Sequence, residues 1–294
     1  VRRPPAVAAL ITAALVFALM AVVAKLASGR LPGPEIAFVR FVVGIVAWAV
    51  AATRVPMHAR NKLGLLLRGA YGGAAVLLYF LAIAHLPVGI ATLLNYTAPV
   101  FTAIYAAAFL GEAVTRATLG ALALTTVGVV LVIAGTAPPG TLGLGPWQLV
   151  GVGSAMLSGA AVATIRQVRR TDGSWEIFAA FCLAGAVITG PPALAHWVRP
   201  RLVEWAALAA VGLLSLVAQL LMTHALRYVP AAAGGVIAQL TPVASLALGW
   251  VLFGEHIAGL ALAGAALTLG GVTVVALAQK VRARSSRAPG RAYQ

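Results

Sequence analysis

Residues 96–132 read YTAPVFTAIYAAAFLGEAVTRATLGALALTTVGVVLV, and residues 239–275 read QLTPVASLALGWVLFGEHIAGLALAGAALTLGGVTVV. At an offset of 143, Pro99 meets Pro242, Gly111-Glu112 meets Gly254-Glu255, and Gly128-Val129 meets Gly271-Val272. The same offset aligns Gly69 with Gly212, Leu78 with Leu221 and Pro87 with Pro230. Nearer the start of each half the offset is 141, which aligns Lys25 with Arg166, Glu35-Ile36 with Glu176-Ile177 and Gly44 with Gly185. Apolar sequences match by chance at Ala or Leu. They do not share a register of Pro, Gly and Glu, so the chain reads as a duplication.

Each copy is made of runs long enough to cross a bilayer, which takes about 20 predominantly apolar residues. The runs are 6–27, 35–53, 64–85, 87–110 and 117–136, then 148–168, 175–196, 203–224, 230–253 and 257–279. Ten transmembrane helices are expected, with the repeats at 6–136 and 148–279 and a basic tail at 280–294. The first run follows Arg2 and Arg3 and reads as an uncleaved helix, since Ala6 to Ala24 carries no charge. Five is an odd number, so the second copy enters from the opposite face. The expected fold class is therefore an all-α integral membrane protein built of two inverted five-helix repeats.

Composition agrees. Apolar residues make up 62% of the 294 and charged residues 9%, too few to solvate the exterior of a soluble domain. The lipid bilayer is the partner this composition fits. A net charge of +15 raises nucleic-acid binding as a question. The Lys and Arg residues answer it by lying in short breaks between apolar runs and in the tail, not along a basic face. With the N-terminus inside, sixteen of the 21 fall in cytoplasmic segments, Arg54, Arg60, Lys62, Arg68, Arg116, Arg169 and Arg170 among them. Both termini are therefore expected in the cytoplasm of a cell (inner or plasma) membrane.

The two quoted stretches, with AKLASGRLPGPEIAFVRF at 24–41, resemble the two EamA-type repeats of the drug/metabolite transporter superfamily. The resemblance covers nearly the whole chain. It implies ten helices with cytoplasmic termini and export of a metabolite or amino acid, and it does not carry a substrate.

Pro99 and Pro242 stand near the centres of the fourth and ninth runs, where they act as hinge or kink positions. A mid-helix proline has no N–H to give and frees the carbonyl four residues earlier, here Asn95 and Ala238. In lipid that carbonyl needs another partner, and a polar cavity supplies one. Asn95, Tyr96 and Gln239 lie just upstream, with Tyr96 and Gln239 at equivalent positions. These three, with Tyr79 and Gln219 inside the third and eighth runs, are the candidate substrate-binding residues. Uncharged polar groups at this depth also serve as helix–helix glue. Tyr71 is a further candidate, His224 reads as interfacial, and Trp48, Tyr105 and Trp250 face lipid, pack or stack.

Among the charges, Lys25/Glu35 and Arg166/Glu176 share a ten-residue spacing across equivalent hairpins on opposite faces. They read either as gate ion pairs, each closing one face, or as hairpin staples with snorkelling side chains. Glu112 and Glu255 follow a helix-ending glycine and precede the next helix, whose first turn they are expected to cap. All six acids lie at span ends or in loops, so a mid-bilayer carboxylate proton relay is not expected, which leaves proton coupling through His or Tyr, or facilitated diffusion. Arg40, a turn inside the second run, reads as an orientation anchor or as a partner for a substrate carboxylate. Gly69 and Gly73 form a small-xxx-small pair, and Gly190-Pro191-Pro192 interrupts the seventh run.

The lone Cys182 allows no intrachain disulfide. No phosphate loop, metal-ligand cluster or nucleophilic triad is visible, so neither a cofactor, a metal nor an enzyme activity is expected. The expected function is secondary transport of a small-molecule substrate, an organic metabolite, by alternating access between the repeats. The rival classes are an intramembrane enzyme or flippase for a lipid-linked substrate, which needs clustered acids, His or Arg at one interface, and a non-transporting subunit.

Overall fold

The fold comes from a computed structural model, which describes residues 6–27, 29–54, 57–85, 94–134, 145–253 and 259–285. All regular structure among these residues is helical. In order the helices are α1 (Ala6–Ala27), α2 (Gly33–Ala52), α3 (Lys62–His85), α4 (Ala98–Leu110), α5 (Arg116–Ala134) and α6 (Pro146–Val168). They are followed by α7 (Ser174–Ala195), α8 (Leu202–Ala225), α9 (Ala231–Ala238), α10 (Leu240–Phe253) and α11 (Gly259–Ser285). Eight spans are long and apolar enough to cross a membrane, with α9 and most of α10 acting as one; α4 and the apolar part of α5 are shorter. The fourth run from the sequence falls partly outside the described residues, since 86–93 are not among them.

Local chemistry sets the ends. Pro34 lies in the first turn of α2 and Pro146 opens α6, positions where a missing N–H costs nothing. Gly111 ends α4 in the left-handed region at φ 61°, which a Cβ would oppose. One expectation fails here. Gly190-Pro191-Pro192 does not interrupt its helix: α7 runs on to Ala195 with both prolines inside its last two turns. Prolines so near a C-terminus release only the carbonyls of Val187 and Ile188. Upstream, Thr189 donates to Gly185 O at 2.7 Å.

The packing runs between the two halves of the chain more than within them. α5 lies on α11, α3 on α6 and α7, α1 on α8 and α10, α2 on α7 and α8, and α4 on α6 and α9. Large apolar side chains such as Val46, Leu66, Phe109, Val187 and Leu213 point outward. The interior is lined by small residues and hydroxyls, among them Ala18, Ala106, Ala155, Thr102, Thr125, Ser154 and Thr268. That is the arrangement lipid favours, because tails give helices no hydrophobic reason to associate and close backbone packing must do it.

Close approaches between helices recur in reciprocal pairs. A methyl group on Gly44 of α2 would lie 2.5 Å from Cys182 Sγ, and one on Gly185 of α7 would lie 2.5 Å from the Phe41 ring. On α5 and α11, Gly128 faces Gly264 O and Thr268 N, at 2.6 and 2.8 Å from such a methyl. Gly271 faces Ala121 O and the Thr125 side chain, at 2.9 and 2.5 Å. Gly69 against Ala184 and Gly212 against Val43 make a third pair, at 2.8 and 2.5 Å.

Gly128→Ala pushes a methyl into backbone that has nowhere to go, and should cost about 1–3 kcal/mol. Gly120 on the same helix has nothing within 4 Å, so Gly120→Ala should be neutral or stabilise by up to about 1 kcal/mol. Thermal midpoints of the two variants in detergent check this. Equal midpoints would remove the α5–α11 approach.

Candidate functional site

Both proline-bearing segments break at the same relative place. Leu94 and Asn95 are helical, Tyr96 and Thr97 form a turn, and α4 begins at Ala98 with Pro99 in its first turn. In the second half α9 ends at Ala238, Gln239 is the turn, and α10 begins at Leu240 with Pro242 two residues on. The bonds tighten across each break: Thr97 N–H donates to Leu94 O (3.2 Å), Val100 N–H to Thr97 O (3.0 Å) and Gln239 N–H to Val236 O (3.1 Å). Val100 in a continuous helix would serve the Tyr96 carbonyl. That carbonyl instead accepts from Gln239 Nε2 at 2.9 Å. Gln239 is completely buried, and its Oε1 has no hydrogen-bond partner. A methyl on Gly235 would lie 3.1 Å from the Pro99 ring, so α9 crosses the other break at close range.

The remaining candidates lie on, or bond to, neighbouring helices. Asn95 Nδ2 donates to Ser154 Oγ at 2.7 Å, and that hydroxyl donates to Ala75 O at 3.0 Å, linking the residues before α4 to α6 and α3. Tyr79 is half-buried on α3, its ring against that of Phe80. Gln219 is half-buried on α8 beside Leu216 and Leu220, which pack on the cluster of Phe41, Phe178, Phe181 and Cys182. The structure thus bonds Tyr96 directly to Gln239 and ties the neighbouring Asn95 to α6 and α3, with Tyr79 on α3 and Gln219 on α8.

A cavity of about 490 Å³ opens between α3, α4 and α6. Tyr71, Tyr105, Phe109, Leu157 and Gln167 line it, and none of the five candidates does. Tyr71 had been marked by its polarity within an apolar run. Gln167 had not, because next to Arg166 at a helix end it reads as interface.

The ion pairs differ from the sequence expectation. Arg166 Nε donates to Glu112 Oε1 at 2.7 Å, both side chains being mostly buried. Its Nη1 donates to Leu226 O at 2.9 Å and also to Arg227 O. Glu176 instead accepts from the His58 N–H at 3.2 Å, so Arg166 and Glu176 are not paired. The reason is reach: Arg166 is in the last turn of α6, facing the end of α4 and the loop after α8, while Glu176 faces the residues before α3. Glu112 caps a helix, but not the one expected. Its Oε2 accepts from Ala231 N–H at 2.9 Å, at the N-terminus of α9. Glu35 is fully buried and accepts from Val198 N–H at 3.0 Å. The side chain of Lys25 and all of Glu255 lie outside the described residues. Arg30, which had no assigned partner, makes a two-pronged pair with Glu204. Asn61 caps α3, its Oδ1 accepting from Gly64 N–H at 2.9 Å, and Asp172 of the α6–α7 loop holds the turn before it by accepting from the N–H groups of Arg60 (2.7 Å) and Asn61 (3.1 Å).

One basic residue was misplaced. Arg68, counted with the face charges, is 3% exposed and lies within α3.

Polar side chains held on broken helices inside a bundle of apolar spans describe a multi-pass membrane protein, and its family makes it a transporter. The family is equally clear: the model of the EamA-like transporter family matches residues 4–134 and again 145–277, and the chain belongs to that family. It is 29% identical to the pseudopaline exporter of Pseudomonas aeruginosa, with 92% of this chain and 94% of that protein aligned. It is 30% identical to a Streptantibioticus cattleyicolor protein named "Probable terminal-alkyne amino-acid exporter", over 86% of each. A solved crystal structure superposes with a TM-score of 0.81, covering 94% of this chain and 98% of its own at 23% identity, a likeness of fold.

A double-mutant cycle separates the two pairings. Coupling between Glu112→Gln and Arg166→Gln should reach about 2 kcal/mol, as for other hydrogen-bonded charges away from water. Coupling between Arg166→Gln and Glu176→Gln should be near zero. Unfolding midpoints of the six proteins in the two cycles decide it, and a larger second value would restore the sequence pairing.

Proposed function

We propose that this chain is a secondary transporter that exports a small organic metabolite of amino-acid type by alternating access. On this reading ten helices cross the cell membrane, both termini are cytoplasmic, and residues 6–136 and 148–279 form two repeats of opposite topology. The duplicated register of Pro, Gly and Glu supports it, as do the reciprocal glycine contacts and the two separate matches to one family model. Export and the substrate class rest on the relatives' names, which give pseudopaline and an amino acid as what they export.

The observation that carries the mechanism is the Gln239–Tyr96 bond. It joins the two breaks, one from each half, at equivalent positions. Alternating access needs two arrangements of similar energy about a fixed centre. Breaks at Pro99 and Pro242 let the two ends of each span move separately, while a single amide–carbonyl bond holds the centre. Asn95, Tyr96, Tyr79, Gln219 and Gln239 line the substrate's path. The Glu112–Arg166 pair, tied to Ala231 and to the loop after α8, takes the gating role that sequence spacing had given to Arg166 and Glu176. By repeat equivalence Lys25 and Glu255 take the corresponding role at the opposite face, in place of the pairing of Lys25 with Glu35.

Gln239→Leu keeps the volume and removes the amide. It should lower efflux from proteoliposomes loaded with radiolabelled amino acids at least tenfold without changing the amount of protein inserted. Tyr96→Phe should have a smaller effect, since the bond uses the Tyr96 backbone. Wild-type efflux in Gln239→Leu would sink the central role of this bond. Topology is checked separately on a Cys182→Ala background: single cysteines at His196 and Arg201 should react with an impermeant maleimide added outside cells, and those at Arg54 and Arg170 should not.

A further inference from the structure

Arg40 and Arg68 are unlike every other cation in the described residues. Arg40 is the eighth residue of α2 and Arg68 the seventh of α3, each two turns into an apolar helix from its N-terminus. Long cationic side chains at such depth ordinarily snorkel to the nearer face. These two turn inward to one aromatic ring. The Arg68 guanidinium carbon lies 4.2 Å from the Phe181 centroid, and that of Arg40 lies 5.9 Å from it and 4.8 Å from Phe41. Nε and Nη2 of Arg40 and Nε and Nη1 of Arg68 are buried with no hydrogen-bond partner. Gly72, one turn along α3, leaves the space Arg68 occupies, and a methyl there would collide with Nη1 and the Phe181 ring.

No acid among the described residues balances them. Glu204 is held by Arg30 and Glu112 by Arg166, while Glu35, Asp172 and Glu176 accept from backbone N–H groups of Val198, of Arg60 and Asn61, and of His58; Oε1 of Glu35 is itself buried without a partner, but Glu35 faces the residues before α8 rather than this pair. Two ring faces attract a guanidinium, but this attraction offsets only a fraction of what it costs to take a cation out of water. Two like charges sharing one ring add to that cost. An ionisable residue within a membrane span that finds no protein partner marks a site for something that arrives. A carboxylate satisfies a guanidinium fork with two parallel hydrogen bonds, and two forks call for two carboxylates.

We propose that Arg40 and Arg68 form an anion clamp, with Phe41 and Phe181 as its apolar floor, that binds a substrate carrying two carboxylates. The clamp rests on the transport reading for its substrate and names the class: a dicarboxylate or polycarboxylate amino-acid derivative, not a neutral or cationic one. In the structure described it is closed, between α2, α3 and α7.

The test is a matched series, glutaramide, glutaramate and glutarate, which replaces amides by carboxylates at constant shape. Unfolding midpoints of the full chain in detergent should rise in that order for the wild type. Arg40→Gln and Arg68→Gln should each remove at least half of the glutarate shift, and the double variant all of it. Arg40→Lys and Arg68→Lys, which keep the charge but not the fork, should keep part. Ligand-free Arg68→Gln should unfold at or above the wild-type midpoint, because it removes an unpaired buried charge. If glutarate protects the wild type no better than glutaramide, or protects the double variant equally, the clamp is wrong. A ligand-free Arg68→Gln that unfolds well below wild type, with no carboxylate effect, would make the pair structural. Proteoliposome efflux of radiolabelled glutarate keeps the two readings apart. Protection without efflux would overturn transport and leave the clamp, whereas efflux unchanged in the double variant would overturn the clamp and leave transport.

Discussion

A carbonyl released inside lipid has no water to turn to, and the centre of this protein is organised around that constraint. Pro99 and Pro242 each remove an N–H from an apolar segment. The chain responds by ending one helix and starting another within two or three residues, with i→i−3 bonds across each gap. With the Val100 N–H turned to Thr97, the Tyr96 carbonyl loses the donor its own segment would have given, and the amide of Gln239 takes it. The same residue that marks one break therefore repairs the other. An apolar residue at position 239 would leave that carbonyl bare, at about 1–3 kcal/mol for a buried group. The cost to motion is greater, because nothing else among the described contacts ties one break to the other by a directional bond.

Around that bond the bundle is held by proximity. Helices in lipid gain little by hiding Leu from a solvent that is itself hydrocarbon, so the contacts that matter are those where backbones nearly touch. Gly44 with Gly185, Gly69 with Gly212 and Gly128 with Gly271 supply them, each glycine receiving a neighbour from the other half of the chain. Three glycine pairs with this reciprocity place α2 against α7, α3 against α7, α2 against α8, and α5 against α11. Interleaving of this kind means that neither half has a finished interior by itself. The hydroxyls that line the interior bond back to their own helices, as Thr102 does to Ala98 O and Thr268 to Gly264 O, and so leave the interfaces free to slide.

Much of this was legible in the sequence, for physical reasons. A span has to be about twenty apolar residues long, so α1 to α3 and α6 to α8 fall within two or three residues of where hydropathy puts them. The equivalence of Tyr96 and Gln239 was legible in the repeat offset and the two prolines, but not the bond between them. Side-chain reach was not legible. Arg166 and Glu176 are ten residues apart in sequence, but α6 and α7 run antiparallel and point them at different neighbours, so Glu112, 54 positions away, is the partner. Arg68 was counted as a face charge because it stands near the start of its helix. The glycine beside it and the ring beneath it, which draw it inward, belong to a fold that hydropathy does not contain. Pro191 and Pro192 misled for the opposite reason: two helix breakers together look decisive, yet near a C-terminus they cost only carbonyls that the helix end was about to expose.

The polar ties at the helix ends bear on how the centre moves. Glu112 touches three things at once: Arg166 at the end of α6, the first N–H of α9, and through Arg166 the loop that follows α8. Opening that face means separating a charge pair and uncapping α9 together, a cost of several kcal/mol if it were uncompensated. A transporter whose two states differed by that much would rest in one of them almost entirely, since about 5.5 kcal/mol already separates a 1:99 population from 99:1. On the two-repeat reading the compensation is built in, because Glu255 stands where Glu112 does in the other copy and Lys25 where Arg166 does. Breaking one set while making the other exchanges nearly equal energies, which is what leaves a bound substrate, worth only a few kcal/mol itself, able to choose between them.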